Sequence, residues 1–300
     1  MLRCDDAAMK EDSAPRVLPL AGGGAMPAFG LGTWRMGEDS SRRGAEVAAV
    51  REAIALGYRL IDTAEMYGEG GAETVVGQAV AEALRAGDVA RDALTIVSKV
   101  YPHNASRRGT IAAFDRSRQR LQLDRIDVYL LHWRGEHPLA ETASAMQALA
   151  ADGRIRHWGV SNFDVDDLGE LARATDPAGA ACSTNQVYFS LGERGAEYAL
   201  LPWMQAQGLP LMAYSPVDQG TLARSEALGA IAAPLHLSAA QLALAWVLSR
   251  SGVCAIPKAV QAGHLRDNLA ASRITLAGDT LAALDRAFPP PQRRTPLAMT

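Results

Sequence analysis

Cysteine is scarce in this sequence. Cys4, Cys182 and Cys254 are the 3 in 300 residues, far apart and without a CxxC pair. That count argues against a disulfide framework and fits a reducing compartment. No stretch approaches the roughly 20 consecutive apolar residues of a membrane span. Met1 to Pro15 is polar and acidic, without the apolar run of a signal peptide. The expectation is a cytoplasmic protein with a flexible tail over residues 1–15. A basic stripe is also lacking: net charge is −3 and Lys and Arg are scattered, so neither nucleic acid nor membrane is an expected partner. No G-x-G-x-x-G turn follows the first strand candidate, which removes the usual dinucleotide signature. His132 and His137 lack HExxH spacing and have no cysteine near them, so no metal site is expected. Gly68-Glu69-Gly70-Gly71 is Gly-rich but carries no phosphate-loop Lys, and reads as a tight turn positioning Tyr67.

What is present is apolar material for a sizeable core, with 48% hydrophobic and 21% charged residues. Strand candidates fall at Phe29–Thr33, Tyr58–Asp62, Thr95–Lys99, Asp127–His132, Ile155–Ser161, Ser183–Gln186, Leu211–Ser215 and Cys254–Lys258. Their starts recur every roughly 28 to 43 residues, near the size of a βαβ unit. Helical periodicity fills the intervals, as in Val47, Val50 and Ile54, then Val76, Ala79, Val80 and Ala83, then Ile111, Phe114 and Leu121. Ser238 and Gln241 have capping-box spacing, with Leu237 and Leu242 placed for a hydrophobic staple.

Eight uninterrupted units predict an α/β fold, a single (β/α)8 TIM barrel. Val17–Leu20, Gly22–Gly24 and Ala25–Pro27 predict an N-terminal β-hairpin plugging its floor, and Thr280–Phe288 an extra C-terminal helix. With no linker or low-complexity segment, residues 16–300 read as one domain. With no apolar stripe evident, a monomer is expected.

The polar residues are placed where a barrel puts its chemistry, at the C-terminal ends of the strands. Asp62, Lys99, His132, Ser161 with Asn162, Asn185 with Gln186, Tyr214 with Ser215, and Lys258 all end strand candidates. Singly, each suits a cap, a rim residue or a satisfied core group; together they suit one another or a ligand. A Lys ammonium beside a tyrosine favours phenolate, which predicts a lowered pKa for Tyr67 and a usable proton donor near neutral pH. Asp62 beside Lys99 keeps that Lys charged. A neutral His132 is suited to orient a carbonyl oxygen. None of these side chains is a hydride donor, so reduction requires a cofactor.

At these residues the chain resembles the aldo-keto reductases over roughly residues 16 to 290. The resemblance is carried by Gly30-Leu-Gly-Thr33-Trp34, Tyr58-Arg-Leu-Ile-Asp62-Thr-Ala-Glu-Met-Tyr67-Gly, Ser98-Lys99, Leu131-His132-Trp133, Gly159-Val-Ser161-Asn162-Phe163, Asn185-Gln186, Ala213-Tyr214-Ser215-Pro216 and Ile256-Pro257-Lys258. Gly153-Arg-Ile-Arg-His-Trp-Gly and Tyr101-Pro-His-Asn104 resemble the small bacterial members that reduce short aldehydes.

The resemblance implies a catalytic tetrad of Asp62, Tyr67, Lys99 and His132, with Tyr67 the general acid. It implies NADPH as cofactor, NADH being possible. Ser161, Asn162 and Gln186 would hold the nicotinamide carboxamide, Tyr214 with Ser215 would lie beneath its ring, and Lys258 would meet the 2′-phosphate. Asp267 and Asn268 would lie near the adenine, and Thr33 and Trp34 would border cofactor and substrate. One position departs from the pattern: His264 stands where the family usually has an Arg six residues after the Lys, and Arg266 lies two residues on.

Short loops after His132 and after Pro291 predict a shallow, open pocket walled by Trp34, Tyr67, His132 and Trp133. Expected substrates are small aldehydes and 2-oxoaldehydes such as methylglyoxal. Two alternatives remain at this point: an NADPH-binding redox sensor with negligible turnover, and a barrel enzyme that forms a Schiff base on Lys99.

Overall fold

The computed structural model describes residues 16–299. The tail expected over 1–15 lies outside them. Ten strands and ten α-helices follow the βα alternation read from the sequence. The strands are β1 (Val17–Pro19), β2 (Ala25–Pro27), β3 (Leu31–Gly32), β4 (Leu60–Asp62), β5 (Thr95–Val100), β6 (Ile126–Leu131), β7 (Ile155–Ser161), β8 (Cys182–Tyr188), β9 (Leu211–Tyr214) and β10 (Val253–Ala255). The helices are α1 (Arg43–Leu56), α2 (Gly71–Ala86), α3 (Arg107–Leu121), α4 (Leu139–Ala151), α5 (Val165–Ala174), α6 (Leu200–Ala206), α7 (Glu226–Ala232), α8 (Ala239–Leu248), α9 (Ala262–Ala271) and α10 (Gly278–Ala287).

Strands β3 to β10 pair in sequence order, all parallel, and bridges Phe29–Ala255 and Gly32–Lys258 join the first to the last. This is the (β/α)8 barrel expected. Closure depends on two glycines at the seam. A Cβ on Gly30 would meet the Leu60 side chain at 2.3 Å, and one on Gly32 would meet the Ile256 carbonyl oxygen at 2.7 Å. The last strand is shorter than expected because Pro257, with no N–H, ends the ladder to β9; Ile256 N–H still donates to the Ala213 carbonyl.

Hairpin β1–β2 pairs Val17 with Pro27 and closes the floor. Its Leu18, Leu20 and Met26 pack with Leu60, Val97, Val128, Leu130, Met212, Cys254 and Ile256 inside the barrel. A second, larger apolar layer lies between sheet and helices, where Val47, Val50 and Ile54 of α1 and Val76, Ala79, Val80 and Ala83 of α2 are buried as their period requires. The capping box of α8 forms: Ser238 Oγ accepts from Gln241 N–H, and Gln241 Oε1 accepts from Ser238 N–H. Among the described residues no single helix is long and apolar enough to cross a membrane.

Helix α10 begins two residues earlier than expected and packs on α7. The short tail beyond it is tied to the barrel. Arg294 Nη2 donates to Asp164 Oδ2 and Asp166 Oδ2, each at 2.7 Å, at the start of α5. Leu297 packs on the core, and Met299 reaches the barrel mouth.

Candidate active site

Three strand ends and one turn bring Asp62, Lys99, His132 and Tyr67 to one place. Asp62 is the last residue of β4, Lys99 the penultimate residue of β5, and His132 follows β6 directly. Tyr67 sits five residues past Asp62 on a turn that closes with left-handed Gly68, Glu69 and Gly70. Glycine is required at 70, where a Cβ would meet Arg120 Cδ at 2.5 Å in addition to the positive φ.

Lys99 Nζ is fully buried and donates to Asp62 Oδ2 at 2.8 Å, the Thr63 carbonyl at 2.9 Å and the Tyr67 hydroxyl at 3.1 Å. Gln186 Nε2 donates to the other carboxylate oxygen of Asp62 at 2.8 Å. The ammonium therefore has three acceptors, and the Tyr67 hydroxyl keeps its own proton available on the cleft side.

Burial works against a charge on Lys99, but Asp62 and then Tyr67 outweigh it and hold the ammonium above its usual range. Burial raises Asp62, opposed by Lys99 and Gln186, and the pair is ionic. Tyr67 differs from the expectation. Its pKa is raised, because burial costs the phenolate more than Lys99, already engaged by Asp62, returns. Tyr67 is thus a neutral hydroxyl donor at neutral pH. His132 is held well below its ordinary value by burial and by the Lys99 charge, so it too is neutral, and its buried Nδ1 has no protein partner among the described residues. The Tyr67 and His132 rings meet edge-on at 5.6 Å.

A cleft of about 830 Å³, toward the upper end of the range for cofactor pockets, runs from this cluster along the mouth. Of the residues singled out in the sequence, Trp34, Asp62, Tyr67, His132, Trp133, Ser161, Asn162, Gln186, Tyr214, Ser215, Lys258, His264, Asp267 and Asn268 line it. Thr33 does not: it is buried, and its hydroxyl donates to the Asp62 carbonyl at 2.9 Å. Lys99 lies behind Tyr67 and acts only through its neighbours.

Asn162 uses its amide on the protein, donating to the His132 carbonyl and Ser161 Oγ, both at 3.1 Å, and accepting from the Tyr214 hydroxyl at 2.9 Å. It holds this position with a left-handed φ of 60°. Tyr214 presents a ring that stacks on Tyr188 at 5.5 Å, and Tyr188 is fixed in turn by a hydrogen bond to Asp218.

At the far end, Lys258 stands at the rim, its pKa lowered by partial burial and by Arg42. Arg266 turns away from the cleft to pair with Glu52 at 3.3 Å, leaving His264 on the lining of that wall. Sequence reading missed Arg35, which lines the cleft with its guanidinium 4.5 Å from the Trp34 ring centroid. A signal was available, since Arg35 lies two residues past the strand candidate Phe29–Thr33. Tyr188, at the end of β8, was missed in the same way. Met299 gave no local signal.

Known proteins are similar to this chain in sequence and fold. Residues 28–288 match the Aldo/keto reductase family. The chain is 47% identical to methylglyoxal reductase YeaE of Escherichia coli (strain K12), over 95% of this chain and 99% of that protein. It is 38% identical to a glyoxal reductase of Bacillus subtilis (strain 168), over 83% and 84% of the two chains. The crystal structure of an aldo-keto reductase from Klebsiella pneumoniae in complex with NADPH superposes with a TM-score of 0.87 at 46% identity, covering 96% of this chain and 100% of that one. The chain is an oxidoreductase belonging to the aldo/keto reductase family.

Proposed function

We propose that this protein reduces small aldehydes and 2-oxoaldehydes of the methylglyoxal type to alcohols with NADPH, using Tyr67 as the general acid. The observation that carries the reading is the neutral Tyr67 hydroxyl, 3.1 Å from the buried Lys99 ammonium at the floor of a long cleft.

The cleft suits the cofactor in shape and donor set. Polar groups from Ser161, Asn162 and Gln186 gather at the reactive end, and the stacked Tyr214 ring offers a flat platform for a nicotinamide. Lys258, Arg35 and His264 supply positive charge or its equivalent at the other end, where Asp267 and Asn268 frame an adenosine. NADPH, when bound there, supplies the hydride. Trp34 borders both cofactor and substrate, while Trp133 walls the substrate end.

The chain's own residues handle the oxygen and its proton. The substrate carbonyl oxygen is received between the Tyr67 hydroxyl and the neutral imidazole of His132. As negative charge develops on that oxygen, Tyr67 gives up its proton. The phenolate left behind is stabilised by Lys99, whose hydrogen bond is already aimed at it. Asp62 and Gln186 keep the ammonium oriented, so no reorganisation is needed when charge moves.

The Schiff-base alternative is disfavoured by the same geometry, because Lys99 is charged, buried and held by three acceptors, and an ammonium is not a nucleophile. The sensor alternative predicts no turnover. One experiment separates them: consumption of NADPH with methylglyoxal, followed by absorbance, supports the reductase, and NADPH binding without consumption sinks it. The reading includes a monomer in the cytoplasm, with unpaired Cys182 and Cys254 suiting a reducing compartment.

A further inference from the structure

Glu65 is a buried carboxylate that takes no part in the chemistry above, yet it accepts three hydrogen bonds. Oε1 accepts from the backbone N–H of Tyr101 at 2.7 Å and from Asn104 Nδ2 at 3.0 Å, and Oε2 from Arg116 Nη2 at 3.3 Å. It lies two residues before Tyr67, so it ties the loop that carries the acid to the loop after β5.

That second loop carries the substrate wall on its back. The Tyr101 ring packs against Trp133 at 5.0 Å. A Cβ on Gly135 would meet Pro102 Cβ at 2.7 Å, so the backbone after Trp133 is laid directly on Pro102. His137 Nε2 is 3.3 Å from the His103 carbonyl oxygen. Trp133 stands between two spaces, the reaction cleft and a smaller cavity of about 650 Å³ bordered by Tyr101, His103 and His137.

We propose that Glu65 is a positioning residue for substrate: through the 101–104 loop it fixes Trp133, and so sets the affinity for aldehydes that carry an aromatic ring. The inference rests on the reductase reading. If the carboxylate is removed, a part-buried backbone N–H at 101 loses its acceptor. The loop must then shift to satisfy it, and three contacts to the Trp133 segment shift with it. An aldehyde too small to reach Trp133 is indifferent to that movement. Glutamine keeps an oxygen for both donors on the Tyr101 side, and Arg116 is half-exposed and free to turn to water.

The test compares benzaldehyde with acetaldehyde in the full-length protein. Glu65→Ala is expected to raise KM for benzaldehyde about fivefold, the scale of a lost aromatic contact, with KM for acetaldehyde and both kcat values within about twofold. The NADPH Kd, from fluorescence titration, stays unchanged. Glu65→Gln restores the benzaldehyde KM. In a Tyr101→Ala background the Glu65→Ala change has a smaller effect on benzaldehyde, because the ring contact to Trp133 is already gone. If Glu65→Ala does not fold, Asn104→Ala is expected to shift the benzaldehyde KM in the same direction.

Equal changes for both aldehydes, an additive effect in the Tyr101→Ala background, or a loss of NADPH affinity in step with kcat would overturn the proposal. No turnover of either aldehyde by the unmodified protein sinks the reductase reading itself.

Discussion

The Lys99 ammonium lies 3.1 Å from the Tyr67 hydroxyl, and that tyrosine nonetheless stays protonated beyond its ordinary range. The cation is shared with Asp62 at 2.8 Å, so it cannot fully offset the cost of a buried phenolate. On the proposed mechanism, the arrangement stores a proton in the resting site and stabilises its loss only when an oxyanion develops beside it.

Tyr67→Phe removes the proton donor but keeps the ring against His132. Aldehyde reduction is expected to fall by about 10²–10⁴-fold, the usual worth of a positioned acid. NADPH affinity, read by fluorescence titration, should match that of the unmodified protein. Turnover retained in this variant would remove Tyr67 from the role of acid.

The pH profile follows from two depressed or raised groups. His132 is neutral down to well below 6.5 and Tyr67 is protonated to above 10.0, so kcat/KM for reduction should be flat between about pH 6.5 and 9. Stability follows the same signs. Below 6.5 the unfolded chain protonates its histidine and the native one does not, so stability falls as pH drops toward the native value. Above 10.0 the unfolded tyrosine ionises first, so stability falls as pH rises. A kinetic pKa near 7 assigned to either residue by mutation would contradict the burial argument.

Lys99→Met leaves Asp62 buried with Gln186 as its remaining side-chain partner. Breaking a buried pair in this way costs about 3–5 kcal/mol, which urea unfolding should register as a lower midpoint at unchanged slope. A loss under about 1 kcal/mol would contradict this, because even taking up a proton at pH 7 costs a carboxylate of ordinary pKa about 4 kcal/mol.

His264→Arg should tighten NADPH binding about five- to tenfold and leave NADH unchanged, because a guanidinium pairs with a phosphate dianion through two parallel hydrogen bonds, which an imidazole cannot do. Lys258→Ala should weaken NADPH selectively. Parallel titrations with both cofactors check the two variants. Equal effects on NADH would move the 2′-phosphate away from this end of the cleft.

Arg294 holds the C-terminal segment to Asp164 and Asp166 on the exposed rim, and Met299 then lines the cleft. Exposed pairs are screened, so Arg294→Ala should raise KM for aldehyde and make it less sensitive to added salt, with NADPH affinity unchanged by the substitution. A salt dependence of KM that survives in Arg294→Ala would assign the effect to other charges.

Much of the molecule was legible in one dimension. Eight short apolar runs spaced by helical periodicity imply a barrel because parallel strands need long crossovers, and chirality and closure leave few ways to arrange eight of them. The hairpin, the capping box at Ser238 and the clustering of Asp62, Lys99, His132, Gln186 and Lys258 at strand ends were equally readable. Strand register sends such residues to one rim.

Tertiary structure alone decided the rest. The direction of the Tyr67 pKa depends on how completely burial strips water from a phenolate, and no spacing encodes that. Thr33 and Trp34 are adjacent in sequence, yet Thr33 is turned into the protein and Trp34 into the cleft by the seam that Gly30 and Gly32 allow. Arg266 was a candidate cation until its pairing with Glu52 took it off the wall. The C-terminal segment reads as a short tail, and only the structure ties it to α5 through Arg294 and brings Met299 to the cleft. Sequence determined which groups the barrel rim receives, since the βα period fixes strand ends; packing decided which of them face the ligand, which carry a proton and which merely hold another in place.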